Sequence, residues 1–193
     1  MARRSDHNNQ ELRELAITNS LKLIAKNGND AFKARDIARE MGYTVGTIYY
    51  LFGSMNDLRY HVAGRMLDDF YQVIENELGK KKNRLNYHIT KYVHLVTEHP
   101  NFSSFLYAQK LSPQKAPDWY MQKYRRHFSL FADTIHSSVG NKARAQKAAK
   151  YLWVYIHGIC TLYVQGKLPF LGETRPENMV KHLANTYLDG LSR

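Results

Sequence analysis

The sequence predicts an all-α chain with two parts: a three-helix N-terminal domain built on a helix-turn-helix, then a larger helical domain. Three observations predict it. Apolar residues recur at spacings of three and four through most of the chain, the signature of one buried helix face. Only five prolines interrupt 193 residues, and no Gly/Ser-rich run marks a flexible linker. Hydrophobic residues make up 44% of the chain, and aromatic residues 12%. That is enough for an ordered core and too much for intrinsic disorder.

The first helix is expected over Glu11–Asn27, where Ile17, Leu21 and Ile24 share a stripe and Gly28 supplies the stop. A short second helix follows from about Lys33 to Met41, with Ala34, Ile37, Ala38 and Met41 inward. Gly42 ends it, because a residue without Cβ turns the chain through positive φ at no steric cost. Thr44 then stands where its hydroxyl can cap a third helix. In that helix Ile48 and Phe52, four apart, pin one face to the first two helices. Val45, Gly46, Thr47, Tyr49 and Tyr50 are left on the other faces. A short braced helix that shows hydroxyls, aromatics and a small apolar group suits a major groove, where hydroxyls reach phosphate and Val45 meets a thymine methyl. Spacing alone is equally compatible with a plain packing corner in which Tyr49 and Tyr50 are half-buried.

Beyond Gly53 a long helix is expected from Ser54 to Leu78, carrying Leu58, Val62, Met66, Phe70 and Val73 inward. Helices follow over Tyr87–His99, ended by Pro100, then Phe102–Leu111 and Trp119–Val139. A loop is expected from Ser112 to Pro117. Another helix, capped by Asn141, runs to about Gly166, and a last one from Pro176 to Leu191. The domain boundary is therefore expected at residue 53, giving domains 1–53 and 54–193. The helix before Gly166 is apolar on two faces. One stripe is Ala148, Leu152, Tyr155, Ile159 and Leu162, and the other runs through Ala149, Trp153, Ile156 and Cys160. Both faces need cover. The expected cover for one is the same helix of a second copy, with Leu152, Tyr155, Ile159 and Leu162 joined by Leu183 and Tyr187 of the last helix across a two-fold seam. The alternative is a central helix buried within a large monomer.

The formal net charge is +11, which favours a polyanionic partner. Its distribution is uneven. Residues 1–53 hold eight Lys/Arg against six Asp/Glu, while the remainder holds twenty against eleven. Charge thus supports nucleic-acid binding without locating it. The single cysteine, Cys160, permits no internal disulfide, so a reducing compartment is expected and the thiol reads as inert core. Met1–Gln10 lacks the apolar stretch of a signal peptide, and the longest apolar run, Tyr151–Val164, is too short to cross a bilayer. A cytoplasmic chain without membrane contact is expected. His94 and Glu98 share a helix face, but His99 lies off it and no third ligand is placed, so no metal is expected. No catalytic triad context or phosphate-cradling Gly loop is present, so neither an enzymatic activity nor a cofactor is expected.

Several positions agree in register: Arg35-Asp36-Ile37-Ala38, Met41-Gly42, Gly46-Thr47-Ile48-Tyr49-Tyr50, Phe52 and Leu58. Over residues 11–60 the chain resembles the TetR family of regulators. The resemblance implies a homodimer, an N-terminal helix-turn-helix that binds double-stranded operator DNA, and a C-terminal domain that binds a small-molecule effector. By position it assigns Arg35, Thr44, Val45, Thr47, Tyr49 and Tyr50 to DNA contact and Gly46 to close backbone approach. The chain departs from the family in three places. Lys33 replaces a capping Ser or Thr and could add a phosphate contact. Leu51 replaces an aromatic or His. Met55 replaces a phosphate-binding Lys. Trp153-Val154-Tyr155-Ile156-His157-Gly158, with Leu162, resembles the Trp–His–Gly signature of one TetR subgroup. An aromatic effector wall is expected from Phe102, Phe105, Trp119, Tyr124, Phe128, Trp153 and Tyr163. His157 is expected to hydrogen-bond inside a packed core, with pocket lining as the alternative. The function implied is a repressor released by its effector, against the alternative of a DNA-binding interaction or architectural protein that has none.

Overall fold

Asn8 fixes where the first helix begins. Its Oδ1 accepts from the N–H groups of Gln10 and Glu11 at 2.9 and 3.0 Å, and Glu11 Oε2 accepts from the Asn8 N–H at 2.9 Å. This reciprocal box satisfies donors that the first turn leaves orphaned, so α1 runs Asn9–Asn27, two residues earlier than the apolar spacing predicts. The structure, a computed structural model, describes residues 8–107 and 116–191. Among these, α2 (Ala34–Met41), α3 (Val45–Phe52) and α4 (Met55–Leu78) complete the N-terminal part. Next come α5 (Arg84–Glu98), α6 (Pro100–Tyr107), α7 (Asp118–Val139), α8 (Lys142–Val164) and α9 (Pro176–Leu191), and no strand occurs among the described residues.

The contacts divide the chain into two units. The first comprises residues 1–68 with 101–121, the second residues 69–100 with 122–193. In the first, Ala16, Ile17 and Ile24 of α1 meet Ile37, Ala38 and Met41 of α2 and Ile48, Leu51 and Phe52 of α3, all buried. Each such Ile or Leu contributes about 1.5–3 kcal/mol by leaving water, which is what makes two eight-residue helices stable here. Glu14 and Arg65 join α1 to α4 at 2.8 Å. The guanidinium of Arg59 on α4 lies over the rings of Phe32 and Phe105, at 4.7 and 4.2 Å. Asn101 Nδ2 donates to the carbonyl of Ala25 at 2.9 Å. Through these contacts α6 packs against α1, the segment that follows it and α4, although a division at residue 53 assigns it to the other part.

The second unit has its own core. Ile74, Ile89, Val93, Ile135, Ala148, Leu152, Ile156, Val180 and Ala184 are buried together, with α5, α8 and α9 each packed on the other two. Several elements differ from the expectation for local reasons. Helix α5 begins at Arg84 because the Asn83 side chain accepts from the Asn86 N–H at 2.9 Å. Pro100 does not merely end α5. It is the first residue of α6, where its missing N–H costs nothing. On α4 the buried stripe passes through Phe70, Ile74 and Leu78, leaving Val73 half exposed. The C-terminal end of the helix expected to reach Leu111, and most of the loop expected to follow it, lie outside the described residues.

Candidate nucleic-acid interface

The turn between α2 and α3 is set by Gly42, at φ 73° and ψ 26°. Its N–H donates to the Arg39 carbonyl at 3.1 Å, and the Tyr43 N–H donates to the Ala38 carbonyl at 2.9 Å. This paired closure satisfies the last carbonyls of α2 and needs a left-handed residue. Thr44 precedes α3 as expected, but its hydroxyl does not cap the helix. It bonds the Thr47 hydroxyl at 3.2 Å instead, while the Thr47 N–H goes to the Thr44 carbonyl at 3.0 Å. The two hydroxyls are thereby held side by side at the start of α3. Likewise Lys33 caps α2 by position without any side-chain bond, leaving its ammonium at the surface.

The inner face of α3 is Ile48, Leu51 and Phe52. Leu51 is 2% exposed, which gives a physical reason for an aliphatic residue there: it is core, and does not face outward. The outer face carries Val45, Gly46, Tyr49 and Tyr50, with Tyr50 72% exposed and Tyr49 47%. Lys33, Arg35 and Thr44 are exposed too, and Thr47 is half-buried beneath its hydroxyl bond. A Cβ built on Gly46 would meet only Thr44 Oγ1, at an ordinary 3.6 Å. Packing within the fold therefore does not require glycine at 46. A surface without a side chain there is available for close approach by another molecule. Nearby, Ser54 caps α4 by accepting from the Asp57 N–H at 3.1 Å and donating to its carboxylate at 2.7 Å.

The residues expected to form an effector wall are divided between the units. Phe102, Phe105 and Trp119 belong to the first, and Tyr124, Phe128, Trp153, His157 and Tyr163 to the second. Phe105 is 1% exposed, edge-on to Phe32 at 5.0 Å, and is core. Trp119 stacks on His61 at 4.7 Å. Phe128 lines a cleft of about 170 Å³ with Ala132, Asp133, His136, Lys142 and Gln146. Burial raises the Tyr124 hydroxyl above its usual range, and Tyr163 is turned outward. Trp153 and His157 stack at 5.3 Å with planes 2° apart, and His157 Nδ1 is hydrogen-bonded to Tyr92 Oη at 2.8 Å.

That bond leads to a group that spacing alone did not single out. His88 on α5 and His127 on α7 lie with ring centres 6.1 Å apart. Phe70 stacks on His127 at 4.8 Å, and Phe131 meets His88 at 5.0 Å. Desolvation lowers His88 to about 3, with a smaller contribution from His127, and lowers His127 to about 4, so both rings are neutral. Among the described residues neither His88 Nδ1 nor His127 Nε2 has a hydrogen-bond partner. The sequence carried one signal: His88 immediately precedes Ile89, on the inward stripe of α5.

On α8 the seam expected from Leu152, Tyr155, Ile159 and Leu162 is split. Leu152 (0% exposed) and Ile159 (9%) belong to the protomer's own core. Tyr155 and Leu162 point outward with Tyr151, Val154 and Gly158, while Leu183 and Tyr187 of α9 are half-buried, Tyr187 edge-on to Tyr151 at 6.4 Å. Leu152 and Tyr155 are offset by only about 60° around the helix, and the edge of the buried face falls between them, leaving Leu152 inward and Tyr155 outward. Cys160 is buried, and burial raises its thiol to about 12, which removes thiolate reactivity. His94 sits between Glu98, at 3.5 Å, and Glu177, at 2.9 Å. No helix among the described residues is long and apolar enough to cross a membrane.

Comparison with known proteins matches two family models. One, bacterial regulatory proteins of the tetR family, covers residues 17–62, and the other, a tetracyclin repressor-like C-terminal domain, covers residues 88–187. Among solved structures the fold is similar to a protein of unknown function from Rhodococcus sp. RHA1, with a TM-score of 0.77, 19% identity and all of both chains covered. A TetR transcription regulator from Haloarcula marismortui gives a TM-score of 0.67 at 17% identity, covering 94% of this chain and 98% of that one. A putative transcriptional regulator from Saccharomonospora viridis, solved in complex with choline, gives 0.66 at 22%, covering 93% and 96%. No curated protein matches the chain.

Proposed function

The chain belongs to the tetR family of bacterial transcriptional regulators, which are not enzymes, and from that premise we propose that it is a homodimeric, cytoplasmic repressor released from a near-palindromic operator by a small molecule. The observation that carries this reading is the outer face of α3. Gly46, Tyr49 and Tyr50 are exposed beside Thr44 and none belongs to the core, Tyr50 touching α1 only at the surface, where its Oη accepts from Asn9 Nδ2 at 3.4 Å. Helix α3 enters the major groove, with Thr47 and Tyr49 at base edges or phosphates, Val45 against a thymine methyl and Gly46 where the backbone comes closest. Lys33 and Arg35 meet phosphates from the start of α2. We keep residues 1–53 as the reading domain and the rest as the regulatory one.

Two-fold symmetry follows from the outward apolar face of α8. Tyr151, Val154, Tyr155 and Leu162 are exposed in the protomer, and the same face of a second copy covers them in an isologous contact with Tyr187. A dimer with two α3 helices reads two inverted half-sites. An effector that binds the DNA-incompetent conformation better shifts the population away from the operator. The choline complex of the Saccharomonospora viridis neighbour supports a small-molecule role for this architecture. Selection of duplexes from a random DNA pool tests the proposal. Enrichment of an inverted repeat is the expected outcome, and a pool left without sequence enrichment at low and physiological salt overturns it.

A further inference from the structure

We infer that His88 and His127, with the rings of Phe70 and Phe131 beside them, form the recognition point for an uncharged aromatic ligand bearing an O–H or N–H donor, of which a phenol is the simplest. The inference rests on the reading that the second unit takes a small-molecule effector, and names the class of that effector.

Four observations carry it. His88 is 3% exposed, and its Nδ1, like Nε2 of His127, has no hydrogen-bond partner among the described residues. Buried polar atoms in folded proteins are otherwise almost always paired, so a molecule that supplies the missing partner regains what burial cost. The missing partner of His127 is a donor. Its ring hydrogen-bonds its own backbone in the sense that favours a ring proton, and with Nε2 unpartnered that proton sits on Nδ1. Nε2 is left with a lone pair and accepts. The surroundings are flat and aromatic: Phe70 lies parallel to His127 within 14°, and Tyr92 approaches Phe70 at 6.2 Å.

The charge of the ligand follows from its neighbours. A carboxylate gains no ion pair from the two imidazoles, which are neutral, and the neighbouring Arg126 guanidinium is already held over the Tyr71 ring at 4.1 Å. A cation meets Arg126, whose guanidinium lies over Tyr71 at 4.1 Å while Tyr71 is edge-on to His127. A neutral ring with a hydroxyl satisfies Nε2 and stacks among the aromatics at no charge cost.

Calorimetric titration of the full chain at pH 7 with p-cresol, toluene and benzoate tests this. The expected result is that p-cresol binds about tenfold more tightly than toluene, and that His127→Phe abolishes this preference while still binding toluene. The Nε2 resonance of His127 in nitrogen-15 spectra moves on adding p-cresol and stays put on adding toluene. Should His127→Phe not fold, the wild-type comparison and this resonance decide alone. Equal affinity for p-cresol and toluene, tighter binding of benzoate, or binding of none of the three overturns the inference, since a trapped water then suffices for the unpaired nitrogens. The DNA readout separates it from the reading beneath it. Binding of p-cresol as expected with operator affinity unchanged supports the site and removes its role as effector pocket. Release of DNA by some other compound, with p-cresol inert, keeps the repressor reading and overturns the site.

Discussion

On α3, Tyr49 and Tyr50 face solvent among Thr44, Gly46 and Thr47. On α8, Tyr151 and Tyr155 face solvent among Val154, Gly158 and Leu162. Side chains of one type are exposed to a similar degree in both places, yet the two faces differ in what could cover them. Around α3 the neighbours are hydroxyls, a bare backbone and the cations of Lys33 and Arg35, a surface that pairs with a hydrated, charged groove. Along α8 the outward residues from Tyr151 to Leu162 run apolar for about 16 Å of helix, a surface that gains by leaving water altogether. A tyrosine has an apolar ring and a polar tip, so its exposure says little. Its neighbours on the same face carry the information.

A charge placed on the α8 face breaks the comparison most severely. Leu162→Asp buries an unpaired carboxylate in the proposed seam and weakens dimerisation by about 3–5 kcal/mol. Sedimentation equilibrium should find a folded monomer, and one still dimeric at micromolar concentration assigns that face to something else. The same charge on the α3 face, as Tyr50→Asp, should leave the oligomeric state unchanged.

Acid acts next, through the second unit's core. His88 and His127 are lowered by burial to about 3 and about 4, against 6.5 when unfolded. The unfolded chain thus binds more protons at mildly acid pH. The stability these neutral rings contribute is whole above pH 6.5 and is lost as pH falls towards 4. The slope approaches about 1.4 kcal/mol per pH unit for each histidine. Urea unfolding at pH 7, 6 and 5 measures it, and His88→Phe should remove one histidine's share of the slope, leaving those of His127 and of His157, which burial also lowers. A smaller separation comes from Gly46→Ala. Helix propensity raises stability by up to about 1 kcal/mol, because the new Cβ meets only an ordinary contact, while operator affinity falls. A rise or no change in DNA affinity contradicts close approach at that position. The smallest effect is that of Met55→Lys, which restores a cation at the start of α4 and should steepen the salt dependence of DNA binding by about one unit.

Much of this was legible in the sequence, and the misses have physical causes. The helices and the Gly42 turn follow from apolar spacing and one obligatory positive φ. The outer face of α3 follows once Ile48 and Phe52 are placed inward. The Thr44 hydroxyl departs from the expected cap because it has two partners within reach, the backbone and Thr47, and spacing does not rank them. On α8 a helix apolar on both faces gives no signal for which stripe its own domain covers, so Leu152 and Ile159, buried in the protomer, read in the sequence like Tyr155 and Leu162, which face outward. Phe105 and Trp119 read along the chain as companions of the second unit's aromatics, because chain order hides that α6 returns to pack near Phe32 and Arg59 and that the start of α7 stacks Trp119 on His61. The His88–His127 cluster is not legible in the sequence because the two residues are distant along the chain, and the place of His88 beside the inward stripe of α5 does not point to His127.

The central claim is that α3 reads DNA through its outer face, which lies outside the core. Its most direct test is the affinity of the wild type, Thr47→Ala and Tyr49→Phe for the DNA immediately upstream of the protein's own gene, across a salt series. The account predicts that both variants fold and dimerise normally but bind that DNA about tenfold or more weakly, a loss within the range of about 1–3 kcal/mol for a good base contact. Wild-type affinity in both variants at every salt concentration contradicts it.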